Sequence, residues 1–404
     1  MNHSHSTAQH PSAIFSSATE TLQATGIAQT FSSVSAAAQA LHTQAVPIIV
    51  GALPFHEADP VCLFSPKRHS IHQQALTLSS PALAPSEHDA AVSISFNHNS
   101  GEHHGRVARM VEQLKQGIAQ KVVLSRQMRV DITSGEYADL VADPLWLLGR
   151  FLQGSATGDG HLLRLDAAGK RYQGAYFVGS SPELLIAKRG RYIESFPLAG
   201  TIARSADPVQ DQARATELQL SAKDLHEHAF VTHDIAETLG PLCTRLDIPA
   251  RPSISATSHT WHLGTKITGE LRDDAISSLE LAALLHPTPA VSGYPQPEAR
   301  HILSEEEPER GFYAGAVGWS DAQGNGQWRV GIRSATMLPP TMDPASNASE
   351  HLRILASAGG GIVQHSDPAA EVQETQSKFG PLIQALSLSP SLIRAAEYEL
   401  ELQR

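Results

Sequence analysis

The apolar positions along the chain change their period, and each change predicts a different element. Val107, Met110 and Leu114 recur every three or four residues, which is the spacing of one helix face, and we expect that helix to end near Gly117. The next apolar run, residues 121–126, does not alternate with polar residues. Such a run predicts a strand that is buried on both faces.

The second half of the chain predicts two hairpins. The first turns at residues 189–191 (RGR) and the second at residues 324–326 (GNG), each between two extended runs. A helical region from Pro208 to Gly240 separates them, and the final ordered helix is expected to begin at residues 367–368. Antiparallel hairpins with scattered helices, and no regular strand–helix alternation, predict an α+β fold.

Two segments lack a clear period. Residues 1–45 are rich in Ser, Ala, Thr, Gln and His, so we expect a poorly ordered N-terminal segment, followed by a folded domain over residues 46–404. Residues 47–53 read as a strand that ends in a turn. Residues 338–350 are dense in Pro, Ser and Asn and predict a surface loop.

Composition restricts the class of protein. The formal net charge of −11 over 404 residues argues against nucleic acid as a partner, because binding to phosphates needs clustered Lys and Arg. No apolar run approaches the roughly 20 residues of a membrane span, and the N-terminus lacks the pattern of a signal peptide. Two cysteines, Cys62 and Cys243, suit a reducing compartment. These features predict a cytoplasmic protein without a membrane partner.

Two charged residues stand beside apolar runs, where charge is costly. Lys121 begins the buried strand, and a lysine there needs a partner or a chemical task, such as that of a base with a lowered pKa. Glu183 lies between Pro182 and an apolar run, where loss of solvent raises a carboxyl pKa and favours a general acid.

Other polar groupings have ordinary explanations. Glu371, Glu374 and Lys378 share one helix face, which is usually a solvated face with an ion pair. The three residues 226–228 (HEH) cannot all converge on one ion, because adjacent helical residues point about 100° apart. The 21 histidines are dispersed, so metal handling through histidine is a secondary hypothesis. The glycines 359–361 follow no strand–loop–helix phosphate motif and are weak evidence for a nucleotide.

Several long motifs follow one another along the chain. The first three are residues 121–126 (KVVLSR), 179–183 (GSSPE) and 197–201 (PLAGT), and in this order they resemble those of chorismate-utilising enzymes, the anthranilate synthase component I-like family. The later ones are most similar to isochorismate synthases: residues 223–228 (KDLHEH), 261–263 (WHL), 286–293 (HPTPAVSG), 315–319 (GAVGW) and 371–375 (EVQET). The resemblance covers roughly residues 47–385, and its best-matched core is residues 105–385.

The resemblance implies one large catalytic domain in which two antiparallel sheets pack together with helices outside. It also implies a magnesium-dependent isomerase, which converts chorismate to isochorismate by adding water at C2 while the C4 hydroxyl leaves. Lys121 resembles the general base that activates water, and Glu183 resembles the acid that protonates the leaving hydroxyl. Such an enzyme needs no glutaminase subunit, and we expect a monomer.

The remaining site residues are carried over from the same motifs. Glu227 and Glu374 resemble the principal magnesium ligands, with Glu371 as a further ligand or a partner through water. The expected substrate contacts are Gly200, Thr201, His262, Ala290, Tyr313, Arg333, Gly359, Gly360, Gly361 and Lys378. One position departs from the pattern, because Ala222 stands where relatives often carry Glu. Without that glutamate the metal is either oriented less firmly, or Glu371 compensates for the missing carboxylate.

Within the resemblance, Lys121 favours water over ammonia as the nucleophile, which separates the chain from anthranilate synthases. Ala199 fits aminodeoxychorismate synthases poorly. Salicylate synthase, which also eliminates pyruvate, is the main alternative, although Ala290 stands where salicylate-forming relatives tend to place Thr. A non-catalytic chorismate- or metal-binding protein is the alternative of another class. The sequence leaves open whether the product serves siderophore, salicylate or menaquinone synthesis.

Overall fold

The computed structural model describes residues 10–81, 83–84, 87–133, 135–307, 309–341 and 351–398. Its helices are α1 Val34–His42, α2 Ser100–Lys115, α3 Glu136–Val141, α4 Pro144–Gln153, α5 Pro208–Leu220, α6 Ala222–Leu239, α7 Ser278–Leu285, α8 Gln296–Glu306, α9 Pro368–Ala385 and α10 Pro390–Tyr398. None of these helices is long and apolar enough to span a membrane.

The strands run the length of the chain. They are β1 Ala13–Ser16, β2 Thr21–Phe31, β3 Ile48–Leu53, β4 Cys62–His72, β5 Val92–Phe96, β6 Lys121–Thr133, β7 Gly160–Arg164, β8 Tyr176–Gly179, β9 Leu184–Arg189, β10 Tyr192–Phe196, β11 Leu198–Ala203, β12 Cys243–Asp247, β13 Ser253–Ala256, β14 Thr260–Gly264, β15 Ile267–Leu271, β16 Gly293–Tyr294, β17 Ala316–Asp321, β18 Gly326–Val330, β19 Ser334–Thr341 and β20 His351–Val363.

Within the described residues, the strands form two antiparallel sheets, one of seventeen strands and one of three. In the larger sheet, successive pairing runs from β5 and β6 through β20, β19, β8, β7, β1, β2, β4, β3, β17, β18, β9, β10 and β15 to β12. The short strand β16 pairs with the start of β6. The smaller sheet contains β11, β14 and β13. The predicted α+β class, with two antiparallel sheets in a single domain, is confirmed.

Strands near the middle of the large sheet are buried on both faces. In β3, Ile48 and Val50 belong to one apolar cluster together with β1, β2 and β4, whereas Ile49 and Leu53 belong to a second cluster that includes α2, α6 and α7. In β6, residues 121–126 are all buried, as the unbroken apolar run predicts. Lys121 therefore lies where water does not reach.

Other predicted elements are also present. The helix over residues 107–114 is α2, which ends before Gly117, a residue with φ +83°. Both hairpins form, as β9–β10 and as β17–β18. The helical region from Pro208 to Gly240 is two helices, because Ser221 takes an extended conformation and caps α6 by accepting a hydrogen bond from the Asp224 N–H.

Three predictions are wrong, and they concern the N-terminal segment, the start of the predicted surface loop and the final helix. The N-terminal segment is ordered from residue 10, since β1 and β2 pair with each other and with β7 and β4. Small residues of β1 such as Ala13 are fully buried, which the weak apolar period did not reveal. In the predicted surface loop, residues 338–341 continue β19, and residues 342–350 lie outside the described part. Helix α9 is not the last, because α10 follows it.

Candidate active site

The site is built on the pairing of β6 with β20. Their antiparallel register sets Lys121 opposite Val363 and Val123 opposite Gly361. The Lys121 side chain is 0% exposed, and its Nζ lies 2.9 Å from Glu227 Oε1 on α6. Because Glu227 is also buried, the two charges neutralise each other away from water. The fold therefore places the buried lysine beside a carboxylate.

The three glycines of β20 form a floor beneath the charged groups. A Cβ on Gly361 would stand 2.2 Å from Glu227 Oε1, and a Cβ on Gly360 would stand 2.8 Å from Glu371 Oε2. Neither approach is possible for a real side chain. The glycines are present because carboxylates lie directly on the strand, and the predicted role of their N–H groups in binding substrate stays a prediction.

Each of the three predicted metal ligands forms an ion pair with a lysine. Besides the pair of Glu227 with Lys121, Lys223 Nζ lies 2.9 Å from Glu371 Oε1, and Lys378 forms an ion pair with Glu374. The cluster thus alternates three carboxylates with three ammonium groups. Such close pairing offsets part of the cost of burying these charges.

The carboxylates of the cluster differ in proton affinity. Burial opposes ionisation of Glu227, but the charges of Lys121, Lys223 and Lys378 outweigh it and hold the pKa of Glu227 below its ordinary value. For Glu371, burial and the charge of Glu374 raise the pKa to about 7 despite its ion pair. Two neighbouring carboxylates therefore differ in protonation near neutral pH.

Glu183 lies just before β9, and its side chain is 2% exposed. Burial raises its pKa to about 7, and the positive charges of Lys121, Lys378 and Arg333 oppose that rise only in part. A carboxyl that is protonated near neutral pH can donate a proton, as predicted for a general acid.

A small cavity of about 50 Å³ lies beside Glu183. It gathers most of the predicted catalytic and substrate-contacting residues: Glu183, Thr201, His262, Ala290, Tyr313, Arg333, Gly359 and Lys378. Of the others, Gly200 has φ +83° and packs against Asp224, whereas Gly360 and Gly361 lie under the carboxylates. The predicted residues thus converge on one region although they are spread over almost 200 positions of sequence.

The polar wall of this cavity contains a neutral histidine. His262 Nδ1 lies 3.0 Å from Thr201 Oγ1, and His262 Nε2 lies 2.8 Å from Thr260 Oγ1. Burial, with the nearby charges of Arg333 and Lys378, lowers the pKa of His262 well below its usual range. The ring is therefore uncharged at neutral pH, and the two hydroxyls fix its orientation.

The expectation for residues 226–228 is confirmed. Only Glu227 joins the cluster, whereas His226 is exposed and contacts Phe230. His228 is bound instead by Thr265 Oγ1 at 2.7 Å and lies 3.1 Å from the Ala199 carbonyl oxygen. His228 has a structural role behind the cavity.

Sequence reasoning missed Lys223, which forms the ion pair with Glu371. Its position four residues before Glu227 on α6 was the available signal, because residues four apart share a helix face. Ala222, by contrast, is exposed at the start of α6.

A buried ionic network behind β6 was also missed. Glu307 accepts hydrogen bonds from both the N–H and the hydroxyl of Ser125, each at 2.6 Å. Arg310 donates to Glu307 and to the carbonyl oxygens of Val123 and Val291, two residues that line the cavity. No local pattern in the sequence signals this network, because its members come from separate elements.

Within the described residues, no group of three or more His, Cys, Asp or Glu side chains is arranged to hold a metal ion. The donor types nonetheless fit Mg²⁺, which prefers carboxylate oxygens. One such oxygen, Glu371 Oε2, is buried and accepts no hydrogen bond from the described part of the chain. The magnesium site stays a prediction.

Comparison of the chain with known proteins identifies its relatives. The model of the family "Chorismate binding enzyme" matches residues 56–387. A Mycobacterium tuberculosis protein, provisionally named isochorismate synthase MenF, is 38% identical over 370 residues, which are 91% of this chain and 94% of that protein. Isochorismate synthase DhbC of Bacillus subtilis is 36% identical over 363 residues, covering 85% of this chain and 82% of that protein.

A solved structure agrees with the described fold. The crystal structure of DhbC from Bacillus anthracis, provisionally described as a 2,3-dihydroxybenzoate-specific isochorismate synthase, superposes with a TM-score of 0.80. It is 34% identical, and the match covers 94% of this chain and 96% of that chain.

Proposed function

This chain belongs to the chorismate binding enzyme family, and we propose that it is an isochorismate synthase, an isomerase that adds water to C2 of chorismate as the C4 hydroxyl leaves. The observation that carries the proposal is the buried group of Lys121, Glu183 and Glu227, because it combines a candidate base, acid and metal ligand. A buried carboxyl with a raised pKa beside charged partners in a cavity is typical of catalytic sites.

The proton transfers are assigned to two residues. Lys121, as the neutral amine that forms when its ammonium proton is lost, accepts a proton from the water that attacks C2, and Glu183 donates a proton to the oxygen that leaves C4 as water. Burial keeps a large share of Glu183 protonated near neutral pH, which this role requires. The step leaves Lys121 protonated and Glu183 ionised, so both groups must return to their starting protonation before the next turnover.

The charged groups of the substrate have matching partners. Arg333, Tyr313 and Lys378 all line the cavity. Arg333 and Tyr313 would hold the enolpyruvyl carboxylate, while Lys378 would contact the ring carboxylate. Thr201, His262 and Ala290 also line the cavity and would border the ring, and Gly200 directly precedes Thr201 on β11. A neutral His262 adds hydrogen bonding without adding charge.

Magnesium would be held by Glu227, Glu371 and Glu374. When bound, it would supply a Lewis acid and template for the ring carboxylate. The unpartnered Glu371 Oε2 supports this proposal, because a buried carboxylate oxygen without a donor is costly unless a cation or a proton satisfies it. The absence of a glutaminase subunit, the monomeric state and the cytoplasmic location remain predictions.

Product analysis tests the function. The full chain, chorismate and Mg²⁺ should yield isochorismate without free pyruvate. Accumulation of fluorescent salicylate with equimolar pyruvate would establish the salicylate synthase alternative instead. No conversion of chorismate by the folded protein would contradict both enzymatic assignments.

A further inference from the structure

The inner cavity is too small for the substrate. Its 50 Å³ holds only a few water molecules, whereas pockets for small ligands usually measure about 300–1,000 Å³. A second cavity of about 210 Å³ adjoins it, and the side chains of Pro182 and Arg333 line both. Arg333 thus stands between the two spaces.

Arg333 is weakly held in this position. Its guanidinium makes only long contacts, 3.4 Å to Thr260 Oγ1 and 3.5 Å to His262 Nε2, and no ion pair joins it to any residue of the described chain. Few interactions oppose a rotation of this side chain.

The outer cavity is positive in an acidic protein. Its wall carries Arg150, Arg329 and Arg333 against Asp159 and Glu194. Both carboxylates are already paired, Asp159 with Arg329 at 2.5 Å and Glu194 with Lys266 at 3.0 Å.

Two positive charges of the wall are therefore left over. Among the described residues, Arg150 donates only to neutral oxygens, those of the Ala385 and Gln384 carbonyls, the Gln153 amide and the Ser387 hydroxyl, and Arg333 has no ion pair. A cleft with excess charge of one sign concentrates ligands of the opposite sign.

The alternative opening lacks this surplus. A cavity on the side of the carboxylate cluster is lined by Lys115 and Lys223. Lys115 lies 2.7 Å from Glu112, and Lys223 lies 2.9 Å from Glu371. Both charges are offset, so this opening should attract a dianion less.

We propose that the outer cavity is the port through which the dianionic substrate reaches the ring site, with Arg333 as the side chain that separates port from site. The inference rests on the proposed function. The carboxylates of the substrate first bind at the positive wall of the outer cavity. The Arg333 side chain then rotates together with the incoming carboxylate, and this rotation opens a connection between the two cavities.

Stopped-flow tryptophan fluorescence of the full chain, mixed with chorismate and Mg²⁺, tests the port. Ala256→Trp places a bulky ring in the wall of the outer cavity and should lower the association rate constant by about tenfold or more. Ala36→Trp, on α1, is the matched control and should leave that rate unchanged. An unaltered rate in Ala256→Trp overturns the proposal, as does a slow rate in Gln364→Trp, which narrows the alternative opening.

Charge reversal gives a second measurement. Ser258 is an exposed residue of the outer wall. Ser258→Asp should slow association and Ser258→Lys should accelerate it, and the difference should shrink as salt is added. Equal rates in the two variants overturn the port. Failure of the proposed function is distinguishable, because the wild-type chain would then show no turnover, whereas failure of the port leaves it active.

Discussion

Lys121 and Glu227 form a buried ion pair at 2.9 Å, directly above a strand position where only glycine fits. The candidate base and a candidate metal ligand are therefore in contact. Removal of either charge leaves the other buried without a partner, which is strongly unfavourable. The chemistry of the site and the stability of its surroundings are coupled through this pair.

Lys121→Gln should slow turnover by about 10²–10⁴-fold, because glutamine keeps length and hydrogen bonding but cannot take a proton from water. Steady-state formation of isochorismate measures the loss. Lys188→Gln is the matched control, since Lys188 is also buried but donates to the Asp274 carbonyl oxygen, away from the site. A folded Lys121→Gln protein that works at the wild-type rate across neutral pH would show Lys121 to be structural.

Gly361→Ala should abolish most activity, because its new Cβ would stand 2.2 Å from Glu227 Oε1 and 2.9 Å from Lys121 Cε and must push the ion pair aside. Thermal unfolding should show destabilisation by about 1–3 kcal/mol. Gly101→Ala is the control, because at that helical position the nearest atom to the new Cβ is 3.5 Å away. Full activity in Gly361→Ala would contradict the role assigned to the glycine floor.

Activity should require Mg²⁺ and cease in excess EDTA. Glu374→Gln should raise the Mg²⁺ concentration needed for half-maximal rate, and it should reduce the increase in melting temperature that Mg²⁺ produces in the chain without substrate. Asp367→Asn is the control, because Asn can still cap α9 in place of Asp367. Full turnover in EDTA would remove magnesium from the mechanism.

Glu183 should make stability depend on pH. Its pKa is raised in the fold to about 7 from 4.5, so the folded state retains the proton that the unfolded chain has lost, and stability falls as pH rises from about 4.5 to 7. Glu183→Gln removes this loss of stability. The free energy of unfolding of the variant minus that of wild type should therefore increase by about 2 kcal/mol from pH 5 to pH 8.

Urea unfolding at the two pH values measures this change. Glu305→Gln, at an exposed position, is the control. A constant difference between Glu183→Gln and wild type would mean that Glu183 does not retain its proton in the fold.

The sequence alone determined the elements whose patterns are local. The apolar period of α2, the unbroken run at the start of β6 and the glycine turns of the two hairpins each predicted a described element. The α+β class followed from their order. Motifs resembling isochorismate synthases identified the family because they preserve site chemistry, and the predicted acid Glu183 is in fact a buried carboxyl with a raised pKa.

Tertiary structure decided what depends on partners distant in sequence. The strand nature of residues 13–31 comes from pairing with β4 and β7, so a weak apolar period could not reveal it. Lys223 and Glu371 are 148 positions apart, and only the tertiary arrangement of α6 and α9 brings them to 2.9 Å. Whether a charged side chain forms an ion pair, binds a metal or destabilises the fold depends on its neighbours and on its exposure to water. Both are determined only by the tertiary structure.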